Sequence, residues 1–166
     1  VSASVGASNF YLWRGTDLGD GSPQVWGDLS ASYGGAYGGV WASSGDDALG
    51  NEYDIYAGYG GELAGFSYDI SVWNYNYPDR VTSTDSNGVT STTRPTDFAD
   101  LTDGVLSLGY GPVTYTTIKD ITSGTTAYQS YDLALGDFTL TYGNHKASGA
   151  DDHFNVAYAY NDNLTV

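Results

Sequence analysis

The chain has 166 residues, among them 23 glycines and 16 tyrosines, and its 20 acidic and five basic side chains give a net charge of −15. This acidic excess repels nucleic acid and excludes nucleic-acid binding as a function. Because cysteine is absent, disulfides and thiolate metal sites are excluded as well. No segment approaches the roughly 18 apolar residues of a transmembrane helix, and the composition favours one all-β domain over residues 1–166. The chain starts at Val1 rather than at methionine, as a signal-cleaved mature protein or a trimmed fragment would.

Alternation of apolar and polar residues predicts ten strands. The clearest pattern spans residues 51–77, where Tyr53 and Ile55 alternate with Glu52 and Asp54 before a glycine-containing turn, after which the alternation resumes. A period of two on both sides of a tight turn is typical of a β-hairpin. In chain order the predicted strands cover residues 2–13, 23–33, 36–43, 51–60, 66–77, 98–110, 113–119, 127–135, 138–143 and 153–160.

Short turns alternate with longer polar loops along the chain. Gly34-Gly35, Gly111-Pro112 and Gly136-Asp137 are predicted tight turns, whereas residues 78–97 and 144–152 are predicted loops, the first of them the longest in the chain. Short turns at one rim and long loops at the other are typical of outer-membrane barrels. The sequence therefore predicts an all-β, up-and-down antiparallel transmembrane β-barrel of ten strands, or twelve if the C-terminus is cut.

Alternation alone fits both a soluble barrel with an apolar centre and a membrane barrel with an apolar outer surface. Two features favour the membrane barrel: the polar face has almost no lysine, and aromatic residues end the apolar stripes, as they do at the two interfaces of a bilayer. The predicted girdle beside the short turns is Tyr33, Tyr37, Tyr59, Phe66, Tyr110, Phe138 and Tyr160. The predicted girdle toward the loops is Trp13, Trp41, Tyr53, Tyr131, Tyr142 and Phe154.

Several segments also resemble the proteobacterial outer-membrane β-barrel family of TorF-type proteins, which are conserved and uncharacterised. These segments, in the family's order, are NFYLWRG (9–15), PQVWG (23–27), YGGVWAS (37–43), EYDIYAGY (52–59) and FSYDI (66–70). The resemblance is good over residues 9–77, and beyond them it is limited to the recurring pattern of hairpins. It implies an exported β-barrel of a Gram-negative bacterium and implies no substrate. One departure is the ending NDNLTV, since such barrels usually end in an aromatic residue.

The acidic residues of the polar face are the first candidate site. If that face lines a lumen, the inward acidic residues are Asp28, Glu52, Asp54, Asp69, Asp103 and Asp132. Several carboxylates in a narrow lumen are costly without counter-charge, and Arg14 is the candidate counter-charge. One hypothesis is a cation-preferring lumen; the alternative is a hydrogen-bonded plug that holds the barrel together.

Acidic loops are the second candidate site, because clustered carboxylates with glycine can bind Ca²⁺. The possible ligands are Asp46, Asp47, Asp151 and Asp152, although no stretch has the EF-hand spacing. No other metal and no cofactor is predicted.

The two histidines give no prediction of an enzyme. Adjacent residues on a strand point to opposite faces, so at most one of Asp151 and Asp152 could share a side with His153. No serine lies in a recognisable nucleophile motif, so no catalytic residue is predicted. Trp73, Tyr75 and Tyr77 fall on the polar-face register near the loops, where they predict either a sugar-binding platform or a hydrophobic plug.

Three classes of function follow from these patterns. The first is a small barrel of the bacterial outer membrane, structural or weakly cation-preferring and porin-like, with the lipid bilayer as partner and homo-oligomerisation left open. The second is an extracellular, self-assembling filament or adhesive β-protein, since unpaired edge strands drive such assembly. The third is a soluble ligand-binding barrel.

Overall fold

The computed structural model describes residues 1–94, 96–146 and 150–166. These residues form strands and turns. The described part of the chain contains no helix that is long and apolar enough to cross a membrane. The strands are β1 (Ser2–Ser8), β2 (Leu12–Trp13), β3 (Thr16–Asp17), β4 (Gln24–Tyr33), β5 (Ala36–Asp46), β6 (Gly50–Leu63), β7 (Phe66–Asn76), β8 (Val81–Thr84), β9 (Thr90–Thr93), β10 (Leu101–Tyr110), β11 (Val113–Asp120), β12 (Thr126–Leu135), β13 (Phe138–His145), β14 (His153–Asn161) and β15 (Leu164–Thr165).

Eleven of these strands form one sheet in the order β1-β4-β5-β6-β7-β10-β11-β12-β13-β14-β15. The strands pair in antiparallel fashion, for example β1 with β4 and β12 with β13. Strands that follow each other in the sheet also follow each other along the chain, once the small hairpins β2-β3 and β8-β9 are set aside. Within the described residues no pairing joins β1 to the last strand, so the sheet order is open at both ends.

The all-β prediction and the antiparallel, up-and-down connection of the strands are confirmed. Each of the ten predicted strands has a counterpart, but three predictions about the elements are wrong. The predicted strand 2–13 is interrupted after Ser8, the predicted loop 78–97 contains the hairpin β8-β9, and β15 adds an eleventh strand to the sheet. The predicted loop 144–152 includes residues 147–149, which lie outside the described residues.

Burial along the strands is inverted relative to a water-soluble sheet. Ile55, Ile70 and Val156 are 43%, 58% and 66% exposed, whereas Glu52 and Asp54 are 4% and 3% exposed. The reason lies in the alternation of the strand, which sends neighbouring residues to opposite faces. The sheet therefore exposes its apolar face and covers its polar face.

The turn between β6 and β7 consists of two residues in the left-handed region. Ala64 has φ of 52° and Gly65 has φ of 83°. Two positive φ values suit the twist of a two-residue hairpin, which is why Asn-Gly and Gly-Gly are preferred there. Ala64 adopts this conformation against the steric preference of its Cβ.

The chain divides into two compact units. The first unit comprises residues 1–33, 37–57 and 73–102, and the second unit comprises residues 34–36, 58–72 and 103–166. The buried side chains of the first unit include Tyr11, Tyr56 and Tyr77 among several polar residues. In the second unit Ile118 and Tyr128 are buried beside Asp103 and Ser130.

Candidate functional site

The most buried charged groups of the first unit belong to a tyrosine–carboxyl cluster, defined here as Tyr11, Glu52, Asp54 and Tyr77. Glu52 and Asp54 are two residues apart on β6 and so share one face of the strand. Tyr11 follows β1 and Tyr77 follows β7. The Tyr11 hydroxyl donates to Glu52 Oε2 at 2.6 Å, and the Tyr77 hydroxyl donates to Glu52 Oε1 at 2.9 Å. Each oxygen of the buried Glu52 carboxyl thus receives one phenolic donor.

Burial favours the protonated forms of the groups in this cluster. Burial, reinforced by Glu52, raises the pKa of the Tyr11 and Tyr77 phenols well above their ordinary range, so both remain donors. Glu52 and Asp54 are both buried, and burial disfavours the charged form of a carboxyl group. Asp54 Oδ1 is buried without a hydrogen-bond partner. The cluster therefore carries less negative charge than its two carboxyl groups would have in water.

Aromatic rings fill the polar face around this cluster. The Tyr56 ring stacks on Trp73, with centroids 4.3 Å apart and an interplanar angle of 15°, and its hydroxyl donates to Asp28 Oδ2 at 2.7 Å. The Tyr11 ring lies 6.1 Å from that of Trp41. A Cβ atom at Gly39 would lie 2.5 Å from Tyr56 Oη, so glycine makes room for the ring. This arrangement favours the plug over a free aromatic platform, because Trp73 is already covered by Tyr56.

The remaining predicted lumen acids lie in the second unit. Asp103 is buried, and Asp69 and Asp132 are half-buried. Asp132 accepts hydrogen bonds from the hydroxyls of Thr141 and Ser130. All three acids lie on the less exposed side of their strands, and Asp132 has serine and threonine hydroxyls as donors in place of tyrosine phenols.

Arg14, the predicted lumen counter-charge, lies among aromatic residues. Its guanidinium stacks over the Trp13 ring at 4.0 Å and donates to the Tyr75 hydroxyl at 3.3 Å. A guanidinium over an indole face is a cation–π contact. Tyr75 is therefore also engaged, which again favours the plug over the sugar platform.

The two histidines come together in the second unit. Their ring centroids lie 6.0 Å apart, and the Tyr128 hydroxyl lies 3.0 Å from His153 Nε2. His153 Nδ1 lies 3.3 Å from Asn155 Oδ1, so both ring nitrogens of His153 have polar partners. Asp152 instead receives hydrogen bonds from Tyr142 and Asn144, so it is not a partner of His153 in these contacts.

The acidic loops are occupied by local hydrogen bonds. Asp46 Oδ1 accepts from the backbone amides of Ala48 and Leu49 at 2.9 and 2.7 Å. In the second unit, hydrogen bonds from Tyr142 and Asn144 hold the pKa of Asp152 below its usual range. No group of three or more His, Asp or Glu side chains suited to a metal ion occurs in the described part of the chain. Calcium binding at Asp46, Asp47, Asp151 and Asp152 stays a prediction without such a group.

The residues of the predicted turn-side girdle are exposed, with one exception. Tyr33, Tyr59, Phe66, Tyr110, Phe138 and Tyr160 are exposed. Several of them are paired, such as Phe66 with Tyr110 at a centroid distance of 4.6 Å. Tyr37 is the exception: it is only half-exposed and its ring lies 6.2 Å from the buried ring of Tyr56. Tyr37 therefore lies on the same face as Tyr56, and its place in the girdle stays a prediction.

Sequence reasoning missed the partners of Glu52. Tyr77 was assigned to the polar face without an acidic partner, and Tyr11 was assigned no role. The register of β7 already puts Tyr77 on the same side as Trp73 and could have suggested the contact. Nothing in the local pattern signals Tyr11, because it lies in a segment that leaves the strand.

The fold and this cluster define an antiparallel β-protein with an exposed apolar face and a buried, hydrogen-bonded acidic cluster. Residues 1–140 match the family described as a bacterial protein of unknown function (Gcw_chp), and the chain belongs to that family. No curated protein and no solved structure matches the chain.

Proposed function

We propose that this chain is a small β-barrel protein of the bacterial outer membrane with a mainly structural role. The observation that carries the proposal is the inverted burial, with Ile55, Ile70 and Val156 exposed and Glu52 and Asp54 buried. Apolar side chains in contact with lipid cost nothing, whereas the same side chains in water lose the hydrophobic contribution to folding. The resemblance of residues 9–77 to TorF-type outer-membrane proteins supports the same assignment.

The length of the apolar stripe on β7 supports a bilayer environment. Outward residues run from Phe66 to Val72 and are followed on the same face by Asn74 and Asn76. Six residue steps of a strand span about 20 Å, close to the apolar band of about 25 Å on such barrels. Asn74 Nδ2 donates to the Leu101 carbonyl at 3.2 Å, so the polar end of the stripe is satisfied within the protein.

The tyrosine–carboxyl cluster supports a structural role over an open channel. Glu52 has both oxygens occupied by Tyr11 and Tyr77, and the rings of Tyr56 and Trp73 fill the same polar face of the first unit. Carboxyl groups engaged in this way are not free to exchange with ions. A more specific version of the proposal is a porin-like barrel with a weak preference for cations, which rests on the six acidic residues of the polar face.

Cell fractionation combined with heat-dependent gel mobility tests the proposal. We expect the protein in the outer-membrane fraction and expect unboiled protein to migrate differently from boiled protein. Recovery in a soluble fraction, with one mobility, would contradict it. Planar-bilayer recordings then distinguish a structural barrel, which gives no steady conductance, from a porin-like barrel, which gives a conductance that favours cations.

The extracellular self-assembling β-protein is the second candidate, favoured by the sheet order that is open at both ends in the described residues. Unpaired strand edges template pairing with further copies. Regular polymers in detergent-free buffer would support this candidate over the membrane barrel.

A further inference from the structure

Two of the five basic residues of the chain flank the root of the β8-β9 hairpin. Arg80 directly precedes β8 and Arg94 directly follows β9. Val81 pairs with Thr93, so Arg80 and Arg94 occupy the next position of the same antiparallel register. Both are exposed. The hairpin thus brings together two cations that a structureless loop would have left apart.

Hydroxyl groups continue the same face of the hairpin. Alternation places Thr82 and Thr92 on the side of the two arginines, followed by Thr84 and Thr90. The hydroxyls of Thr82 and Thr92 lie 2.9 Å apart, and those of Thr84 and Thr90 lie 3.0 Å apart. In each pair one hydroxyl donates to the other, so each pair retains one O–H donor for a ligand.

Hydrogen bonds fix both ends of this hairpin. At the root, Asp79 Oδ2 accepts from the Asn51 backbone amide at 2.8 Å and from Asn51 Nδ2 at 2.9 Å. At the tip, Asp85 Oδ1 accepts from the amides of Asn87 and Val89, both at 2.9 Å. The two arginines are therefore carried on an ordered support, which lowers the entropy cost of binding.

Like charges placed opposite each other on paired strands are destabilising, and an anion between them relieves the repulsion. The guanidinium fork matches an oxyanion in two-point geometry. A phosphomonoester carries a charge of about −1.5 to −2 at neutral pH and three acceptor oxygens, enough for two guanidinium groups and a hydroxyl. A carboxylate offers one charge and two oxygens.

We propose that Arg80 and Arg94, together with Thr82 and Thr92, form a binding site for a phosphomonoester, carried by a sugar phosphate or by a lipid headgroup. The site does not depend on the proposed membrane function, because the hairpin is exposed and its support comes from Asp79 and Asp85. If the protein is not recovered in the outer-membrane fraction, the phosphomonoester site is still possible. If no phosphate binds, the proposal of an outer-membrane β-barrel is unaffected.

The test is a titration of the full chain, in buffer or in non-ionic detergent, with inorganic phosphate and with glucose 6-phosphate, followed through the arginine side-chain NMR signals. We expect saturable shifts of Arg80 and Arg94 that weaken when salt is added. Arg80→Gln/Arg94→Gln should weaken binding roughly tenfold, and each single variant should lose roughly threefold. The matched control Lys119→Gln/Lys146→Gln, which removes two exposed bases elsewhere, should bind as the native chain does.

A second set of titrations, with lipids, distinguishes a soluble phosphomonoester from a lipid headgroup. Micelles doped with phosphatidic acid present a phosphomonoester, and those doped with phosphatidylglycerol present a phosphodiester. Shifts with glucose 6-phosphate assign a soluble ligand, and shifts with phosphatidic acid alone assign a lipid headgroup.

Three outcomes would overturn the proposal. They are an absence of binding to every phosphate probe, equal binding by the native chain and the double arginine variant, and a native dimer that the double variant loses without any phosphate effect. The last outcome would mean that the arginines bind acidic residues of a second copy. Unchanged amide signals of Thr82 and Thr92 in the double variant show that the hairpin still forms.

Discussion

The polar faces of the two units stabilise their acidic residues in different ways. In the first unit Glu52 is almost fully buried and receives its donors from Tyr11 and Tyr77, which lie beyond the ends of strands. In the second unit Asp132 is half-buried and receives hydroxyl donors from Thr141 and Ser130, which lie on strands. Of these two carboxyl groups, the one whose donors come from outside the strands is therefore the more completely covered.

Removing the central carboxyl group of each unit should have the largest effect. Glu52→Ala leaves the buried Tyr11 and Tyr77 hydroxyls without their acceptor, so we expect the free energy of unfolding to fall by about 3 kcal/mol. The matched change Asp132→Ala removes a half-buried carboxyl group, one of whose donors, Thr141, is itself only half-buried, and should cost about 1 kcal/mol. Urea unfolding of the reconstituted protein measures both values. Equal losses would remove the distinction between the two units.

Filling the glycine positions under the aromatic rings tests how rigid each face is. In Gly39→Ala the new Cβ would meet Tyr56 Oη at 2.5 Å and the Leu29 backbone carbonyl at 2.7 Å, so we expect a loss of about 2 kcal/mol. In Gly143→Ala the three atoms nearest to the new Cβ belong to the side chains of Tyr128 and His153 and none to the backbone, so we expect about 1 kcal/mol. Thermal unfolding midpoints compare the two variants, and a larger loss for Gly143→Ala would contradict the expectation.

Deleting one phenolic donor sharpens the comparison within the first unit. Tyr77→Phe removes one of two hydrogen bonds to Glu52 and keeps the ring, so the free energy of unfolding should fall by about 1 kcal/mol. The control is Tyr131→Phe in the second unit, whose ring is 52% exposed and whose loss of a hydroxyl should change stability by less than about 0.5 kcal/mol. Denaturant midpoints decide, and an effect of similar size for both tyrosines would argue against the cluster.

The smallest expected effect concerns the tip of the β8-β9 hairpin, away from both polar faces. Backbone hydrogen bonds from Val89 and Asn87 hold the pKa of Asp85 below its ordinary value. A depressed pKa means that the carboxylate stabilises the turn at neutral pH and that this support is lost as the pH falls below about 4. Amide hydrogen exchange at Asn87 and Val89, corrected for intrinsic rates, should show protection that declines on acidification, whereas Asp85→Asn should remove the pH dependence.

Alternation allowed the strands and their faces to be predicted, because period two is imposed by the strand itself. Glu52 and Asp54 could be assigned to one face from their spacing alone. The pattern is least informative at Tyr37, since glycine at 38 and 39 leaves no side chain to show which face is apolar. The hairpin β8-β9 was missed because all its strand residues except Val81 are Ser or Thr and give no alternation.

The contacts of Glu52 could not be predicted for a different reason. Tyr11 and Glu52 are 41 residues apart, and Tyr11 lies in a segment without secondary structure between β1 and β2. Local patterns carry no information about where such a segment returns to the sheet. The acidic residues of the candidate site could therefore be predicted from the sequence, whereas the tyrosines that donate hydrogen bonds to Glu52 could not.

The turn at Ala64 and Gly65 has a consequence for misfolding. This two-residue turn fixes which residues of β6 and β7 face each other, and a slip by a single residue would exchange the two faces of a strand. Tyr53 and Ile55 would then lie on the covered face, and Glu52 and Asp54 would lie on the exposed face. Because such an error exchanges the faces of every side chain of the strand at once, it would separate Glu52 from its tyrosine donors and could not remain a local defect.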